Sequence, residues 1–132
     1  LEILARTYLE ENEIAEQDLL IPMIDARRME VYTAVFDSQF NKIKGTEALI
    51  LQKNSFDEFI RKSSCHFIGD GAEKSELLFK RKNTKFTPTI YPSANVMAQS
   101  VEQAFIAQKF EDTAYFEPYY LKDFVDGKKN KN

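Results

Sequence analysis

From Leu19 to Ile24 the chain carries six apolar or imino residues in succession. Such a run reads as a strand buried on both faces. A polar break follows from Asp25 to Arg28. Beyond it Val31, Thr33 and Val35 alternate with Tyr32, Ala34 and Phe36, so both faces of a second strand are apolar or nearly so. Two buried strands with so short a connection predict an antiparallel hairpin at the centre of a sheet. Ser38 to Asn41 supplies turn chemistry, and Lys42 to Leu51 extends the hairpin into a three-strand meander, with Gly45 marking a bulge or a weak point.

The segments on either side change period. Leu1, Leu4, Ala5 and Tyr8 share one helical stripe, in a helix that ends near Leu9 or Glu10. Glu10, Glu11, Glu13, Glu16 and Asp18 then form an acidic connection, which reads as a solvated face. After the meander, Ser55 to Glu58 has the form of a capping box at the head of a short helix bearing Phe56, Phe59 and Ile60. Cys65 to Ile68 reads as a fourth strand, stopped by Gly69-Asp70-Gly71, and Ala72 to Phe79 as a weak helix. Lys80 to Lys85 is a basic loop. A fifth strand from Phe86 to Tyr91 belongs at an edge, because Pro88 has no amide to donate.

The strongest helical pattern comes last. It is capped by Ser93, and Ala94, Met97, Ala98, Val101, Ala104 and Phe105 form its apolar face. Aromatic residues between Tyr115 and Val125 predict a segment that packs back on the body, followed by a disordered polar tail. The order after the first helix is β-β-β-α-β-α-β-α. An α/β domain with a mixed, ribonuclease H-like sheet follows from that order. Its expected divisions are 1–18 (helix and acidic connection), 19–125 (the lobe) and 126–132 (the tail).

Composition narrows the function without naming it. Eighteen Lys and Arg against 21 Asp and Glu give a net charge of −3, which argues against a general polyanion binder. The single cysteine, Cys65, excludes an internal disulfide and fits a reducing compartment, so a cytoplasmic protein is expected. It neighbours the single histidine, His66, on a strand, so the two point to opposite faces and form no catalytic pair. One Cys and one His also leave no zinc site of ordinary type. No apolar run approaches the ~20 residues that span a bilayer.

Two turns are candidates for chemistry. Asp25-Ala26-Arg27 lies where a nucleotide-binding relative of this arrangement would carry Asp-x-Gly. There the glycine admits a phosphate and the aspartate positions a metal or water. Arg27 in place of glycine crowds that approach and favours a structural Asp25. In Gly69-Asp70-Gly71 the glycines suit either a phosphate cradle at a helix N-terminus or a plain turn. Asp25 and Asp70 are thus the candidate catalytic residues, and Gly69 and Gly71 the candidate nucleotide-binding ones.

Ile24-Asp25-Ala26-Arg27-Arg28-Met29-Glu30-Val31-Tyr32 resembles the Ile-Asp-Ala-Arg-x-x-Glu-Val-Tyr hairpin of the TsaB (YeaZ, glycoprotease-like) family of bacterial tRNA threonylcarbamoyladenosine biosynthesis proteins. Glu117-Pro118-Tyr119-Tyr120-Leu121-Lys122 is similar to that family's closing Pro-x-Tyr-Leu segment. The likeness covers the family's C-terminal lobe alone; its Asp-Thr start and Gly-rich loop have no counterpart, and Leu1 to Leu9 resembles the helix joining the lobes. The resemblance implies one lobe of an actin/Hsp70-like fold. It implies a non-catalytic scaffold, a heterodimer with the catalytic paralogue TsaD, a separate ATPase, TsaE, and indirect contact with tRNA. No cofactor is implied for this lobe, and ATP only for the whole complex. Two other functions stay open: a nucleotide-dependent transferase or glycoprotease-like hydrolase using Asp25 and Asp70, and a homo-oligomerisation module. Without a companion lobe the stripe of Leu1, Leu4, Ala5 and Tyr8 is expected to be exposed, to pair copies of the chain, and to leave the paralogue weakly bound.

Overall fold

The fold is given by a computed structural model that describes residues 1–122. The apolar run forms β1 (Leu19–Asp25), buried from Leu20 to Met23. β2 (Glu30–Asp37) pairs with it antiparallel, Leu20 opposite Phe36 and Ile24 opposite Tyr32. β3 (Lys42–Ile50) continues the meander. Its register against β2 slips between Thr33 and Val35, opposite Glu47 and Lys44, so the predicted bulge falls beside Gly45. β4 (Cys65–Ile68) and β5 (Thr84–Thr87) add in parallel on the other side of β1. The sheet order is β3-β2-β1-β4-β5, with the hairpin at the centre, as in a ribonuclease H-like lobe. β5 is indeed an edge strand, but it begins at Thr84 and ends before Pro88, so the basic loop is shorter than expected. Pro22 sits inside the central strand, and its carbonyl accepts from the Thr33 hydroxyl at 2.9 Å.

Strand alternation sorts the core onto two faces. On one, Ile21, Met23, Val31, Val35, Cys65 and Phe67 meet the helical layer, with Phe56, Ala72 and Phe79 buried against them. The rings of Phe56, Phe67 and Phe79 lie 5.3–5.5 Å apart, and Phe86 stacks on Phe67 at 5.0 Å. Full burial of such a side chain contributes roughly 1.5–3 kcal/mol. On the other face α1 (Glu2–Glu11) lays Ala5 and Tyr8 onto Leu20, Ala34, Phe36 and Ile68. Leu4, Ala5 and Tyr8 are at most 1% exposed. The stripe expected to pair copies of the chain is therefore occupied by the chain's own sheet.

The short helices differ from expectation at their caps. α2 (Asp57–Ile60) has Phe56, one residue past Ser55, at its N-cap; Ser55 Oγ instead accepts from the Gln52 amide at 2.9 Å. α3 (Ala72–Phe79) has the predicted bounds. Ser93 stands at the N-cap of α4 (Ala94–Ile106), but its hydroxyl makes no cap bond, and its amide donates to Thr7 Oγ1 at 3.2 Å.

The packed stripe of α4 is also different. It is Val96, Ser100 and Ala104, resting against α1, while Met97, Val101 and Phe105 are 46%, 55% and 67% exposed. Small residues let two helices approach closely, so the large apolar ones are left outside. Among the described residues the closing segment returns through Leu121 and Lys122; Tyr115, Phe116, Tyr119 and Tyr120 remain exposed. Residues 123–125 of that segment and the expected tail, 126–132, lie outside the described residues.

Candidate functional site

The two turns singled out in the sequence meet at the carboxyl ends of β1 and β4, where open α/β sheets place their ligands. The Asp25 amide donates to Asp70 Oδ1 at 2.9 Å. Arg27 and Arg28 both adopt left-handed backbone, with φ of 69° and 49°. The turn closes with the Glu30 amide on the Arg27 carbonyl, so Arg28 holds its first central position, where a positive φ usually belongs to glycine, and Arg27 precedes it in the same region. Non-glycine residues there cost roughly 1–2 kcal/mol each. Several bonds offset that strain. The Ala26 amide donates to the Glu30 carbonyl, the Glu30 amide to the Arg27 carbonyl, and the Arg27 amide to Asp25 Oδ1.

Lys74 completes the closure. Its ammonium has three N–H donors. It faces three oxygens, the Arg28 carbonyl at 2.9 Å, the Glu30 carbonyl at 2.6 Å and Asp25 Oδ1 at 3.1 Å. The side chain is only 16% exposed. The Arg27 amide first, then Lys74, holds the Asp25 carboxyl below its ordinary value. Asp25 is thereby an ionised partner, bound twice through Oδ1 and unsuited to donating a proton. Sequence reasoning missed Lys74, a single lysine on a weak helix 44 or more residues from its partners, with no local motif to announce it.

Gly69 and Gly71 serve close packing. Gly69 has φ of 95°, and a Cβ there would lie 2.5 Å from the Met23 carbonyl oxygen and 2.6 Å from Leu4. At Gly71 a Cβ would meet Met23 at 2.9 Å and Val31 at 3.0 Å. Their amides are taken as well, Gly69 N by the Thr87 carbonyl at 3.1 Å and Gly71 N by the Met23 carbonyl at 3.2 Å. Neither amide is free to cradle a phosphate. The adjoining cleft, about 660 Å³, is lined by Asp25, Asp70, Glu73, Glu76, Lys74 and Lys80, four carboxylates against two lysines. That excess of negative charge suits a phosphate poorly, and among the described residues no cluster of three or more His, Cys, Asp or Glu is placed to hold a metal.

The stretches that carried the resemblance also meet. Lys122 of the closing segment reaches Glu30 Oε2 at 2.6 Å, and Tyr32 shares a cavity with Tyr119, Tyr120 and Leu121. Ala26 and Val31 of the hairpin motif are part of the same unit, Ala26 bonded to Glu30 and Val31 buried in the core.

At the opposite ends of the strands lies a site the sequence did not announce. Tyr8 Oη and His66 Nδ1 are 2.9 Å apart, and His66 Nε2 and Asp18 Oδ2 3.0 Å. A carboxylate only accepts, so Nε2 donates to it, and Nδ1 of the neutral ring accepts from Tyr8. The hydroxyl at the end of this relay belongs to Tyr8, which is fully buried, so it is not presented to a substrate. Asp18, assigned to the solvated acidic run, is instead buried and also accepts from the Ala15 amide. Cys65 faces the other side of the sheet, and burial pushes its thiol up to about 12, so it is a core thiol.

No protein-family model matches the sequence, and no curated protein matches it. Eight chains of solved structures do, two of them as follows. One is described as an uncharacterised protein with similarity to peptidase YEAZ, from Pseudomonas aeruginosa. It is 20% identical with a TM-score of 0.70, over 92% of this chain and 56% of that one. The other is YeaZ from Pseudomonas aeruginosa, 21% identical with a TM-score of 0.71, over 92% of this chain and 55% of that one. The fold is that of a YeaZ lobe. YeaZ has the actin-like ATPase fold, and this chain spans little more than half the length of either match. The expected architecture is thus the observed one.

Proposed function

We propose that this lobe is a non-catalytic scaffold in a TsaB-like subunit, within the cytoplasmic complex that makes threonylcarbamoyladenosine beside the tRNA anticodon. Its partners in that reading are a TsaD-like catalytic paralogue in a heterodimer, a TsaE-like ATPase, and tRNA through them. The YeaZ fold and the hairpin motif support the family side of the reading. The observation that carries the non-catalytic side is the Lys74 closure. The turn that would correspond to an actin-like ATPase's phosphate loop is held by a lysine facing three of its oxygens. The same contacts weigh against the hydrolase or transferase reading, in which Asp25 and Asp70 would have to be free.

Depleting the gene product in its own cell, as the full-length protein, is expected to lower threonylcarbamoyladenosine in digested tRNA, read by mass spectrometry. Re-expression of the Asp25→Asn variant should restore it. Unchanged modification on depletion would contradict the scaffold, and an Asp25→Asn variant that folds but fails to restore would return Asp25 to a catalytic role.

A further inference from the structure

The hairpin has a second side, turned away from Lys74. There Arg27, Arg28, Met29, Glu30, Ile50 and Lys122 line a groove of about 660 Å³. Met29 and Ile50 are 40% and 63% exposed, which is unusual for large apolar side chains grouped at one place. Lys122 is matched by Glu30 at 2.6 Å. Arg27 and Arg28 are exposed, and among the described residues neither guanidinium makes an ion pair. The groove thus has an aliphatic floor and two uncompensated guanidinium groups on its rim. Their backbone is set by a strained turn that a lysine holds shut from behind.

We propose that this groove docks an acidic peptide segment of a partner protein, an aliphatic side chain entering between Met29 and Ile50 and neighbouring carboxylates pairing with Arg27 and Arg28. This does not depend on the scaffold reading. Charge complementarity selects the occupant. Guanidinium groups form bidentate bonds with carboxylates, and clusters of them are a recurring means of recognising acidic motifs. A nucleic acid suits the groove less well. The floor offers no ring for a base to stack on. The lysines of the loop from Lys80 do not border the groove, so phosphates find no continuing basic track. Holding a left-handed pair of arginines costs stability that Asn-Gly would not, which is intelligible if the side chains are needed outside.

The test is fluorescence anisotropy with a labelled peptide of alternating glutamate and leucine, a glutamate-only peptide, and a labelled oligouridylate. Saturable binding of the glutamate–leucine peptide is expected, weakened by added salt. The double substitution Arg27→Asn with Arg28→Gly preserves or improves the turn while removing both charges. It should weaken binding about tenfold or more, the loss of two charge-assisted contacts, with thermal stability unchanged or raised. Ile50→Ser should weaken it through the floor. The proposal is overturned if the glutamate–leucine peptide does not saturate, if the double variant binds it equally, if glutamate alone binds as well, or if only the oligouridylate binds.

Discussion

An aspartate precedes the central strand and another ends it, and the two are handled in opposite ways. Asp18, just before β1, is buried and bound by His66, which Tyr8 completes from the helix above. Asp25, its last residue, has a side chain 45% exposed and is bound by Lys74 and a backbone amide. The first network holds α1 to the sheet, where loss of one member strands the others away from water. The second holds a turn against its own strain, where water can replace what is lost. A carboxylate at the carboxyl end of a central strand reads as chemistry, and one in an acidic run as solvated surface. Here the buried network is the one that run concealed, and the site that looked chemical is a clamp.

That contrast predicts a graded series. His66→Leu leaves a buried carboxylate and a buried hydroxyl without their partner and should cost about 3 kcal/mol or more in denaturant unfolding. Lys74→Met, which removes three bonds at a partly exposed turn, should cost less, roughly 2 kcal/mol. It should also speed amide exchange across Asp25 to Glu30 and let the Asp25 carboxyl rise toward its ordinary value. Asp25→Asn should cost about 1 kcal/mol or less, because the group is half in water.

The pH dependence has a definite sign. The Asp25 carboxyl lies below its reference value of 3.8 in the folded chain, so its stabilisation is fully present above that value. It is lost as pH falls through the lower, folded one. Asp25→Asn should flatten that acid limb. Smallest of all, Met97→Ser and Val101→Ser on the exposed side of α4 should change stability by no more than about 0.5 kcal/mol. A large loss there would mean that this face is covered.

Much of the fold was legible because it rests on local periodicity. The run from Leu19 and the alternation from Val31 to Phe36 predict the hairpin and its central place, and α3 has its expected bounds. What failed depends on contacts between distant segments. Helical spacing finds an apolar face on α4 but does not say whether the chain itself covers it, and the small stripe of Val96, Ser100 and Ala104 proved to be the packed one. Ser55 has capping chemistry, yet its hydroxyl is taken by the preceding turn. Asp25 and Asp70, the two candidates, lie side by side, the amide of one on the carboxylate of the other. Lys74, the residue that decides what they do, carries no signal at short range.

The claim that this end of the sheet is closed is tested most directly by titrating the isotopically labelled protein with magnesium and ATP and following the amide resonances of Asp25 and of Gly69 to Lys74. No saturable shift in those resonances is expected, because the Asp25, Gly69 and Gly71 amides and the Lys74 ammonium are already paired within the chain. A saturable shift there, abolished by Asp25→Asn, would show that the site admits a nucleotide and that the account of Lys74 as a closure is wrong.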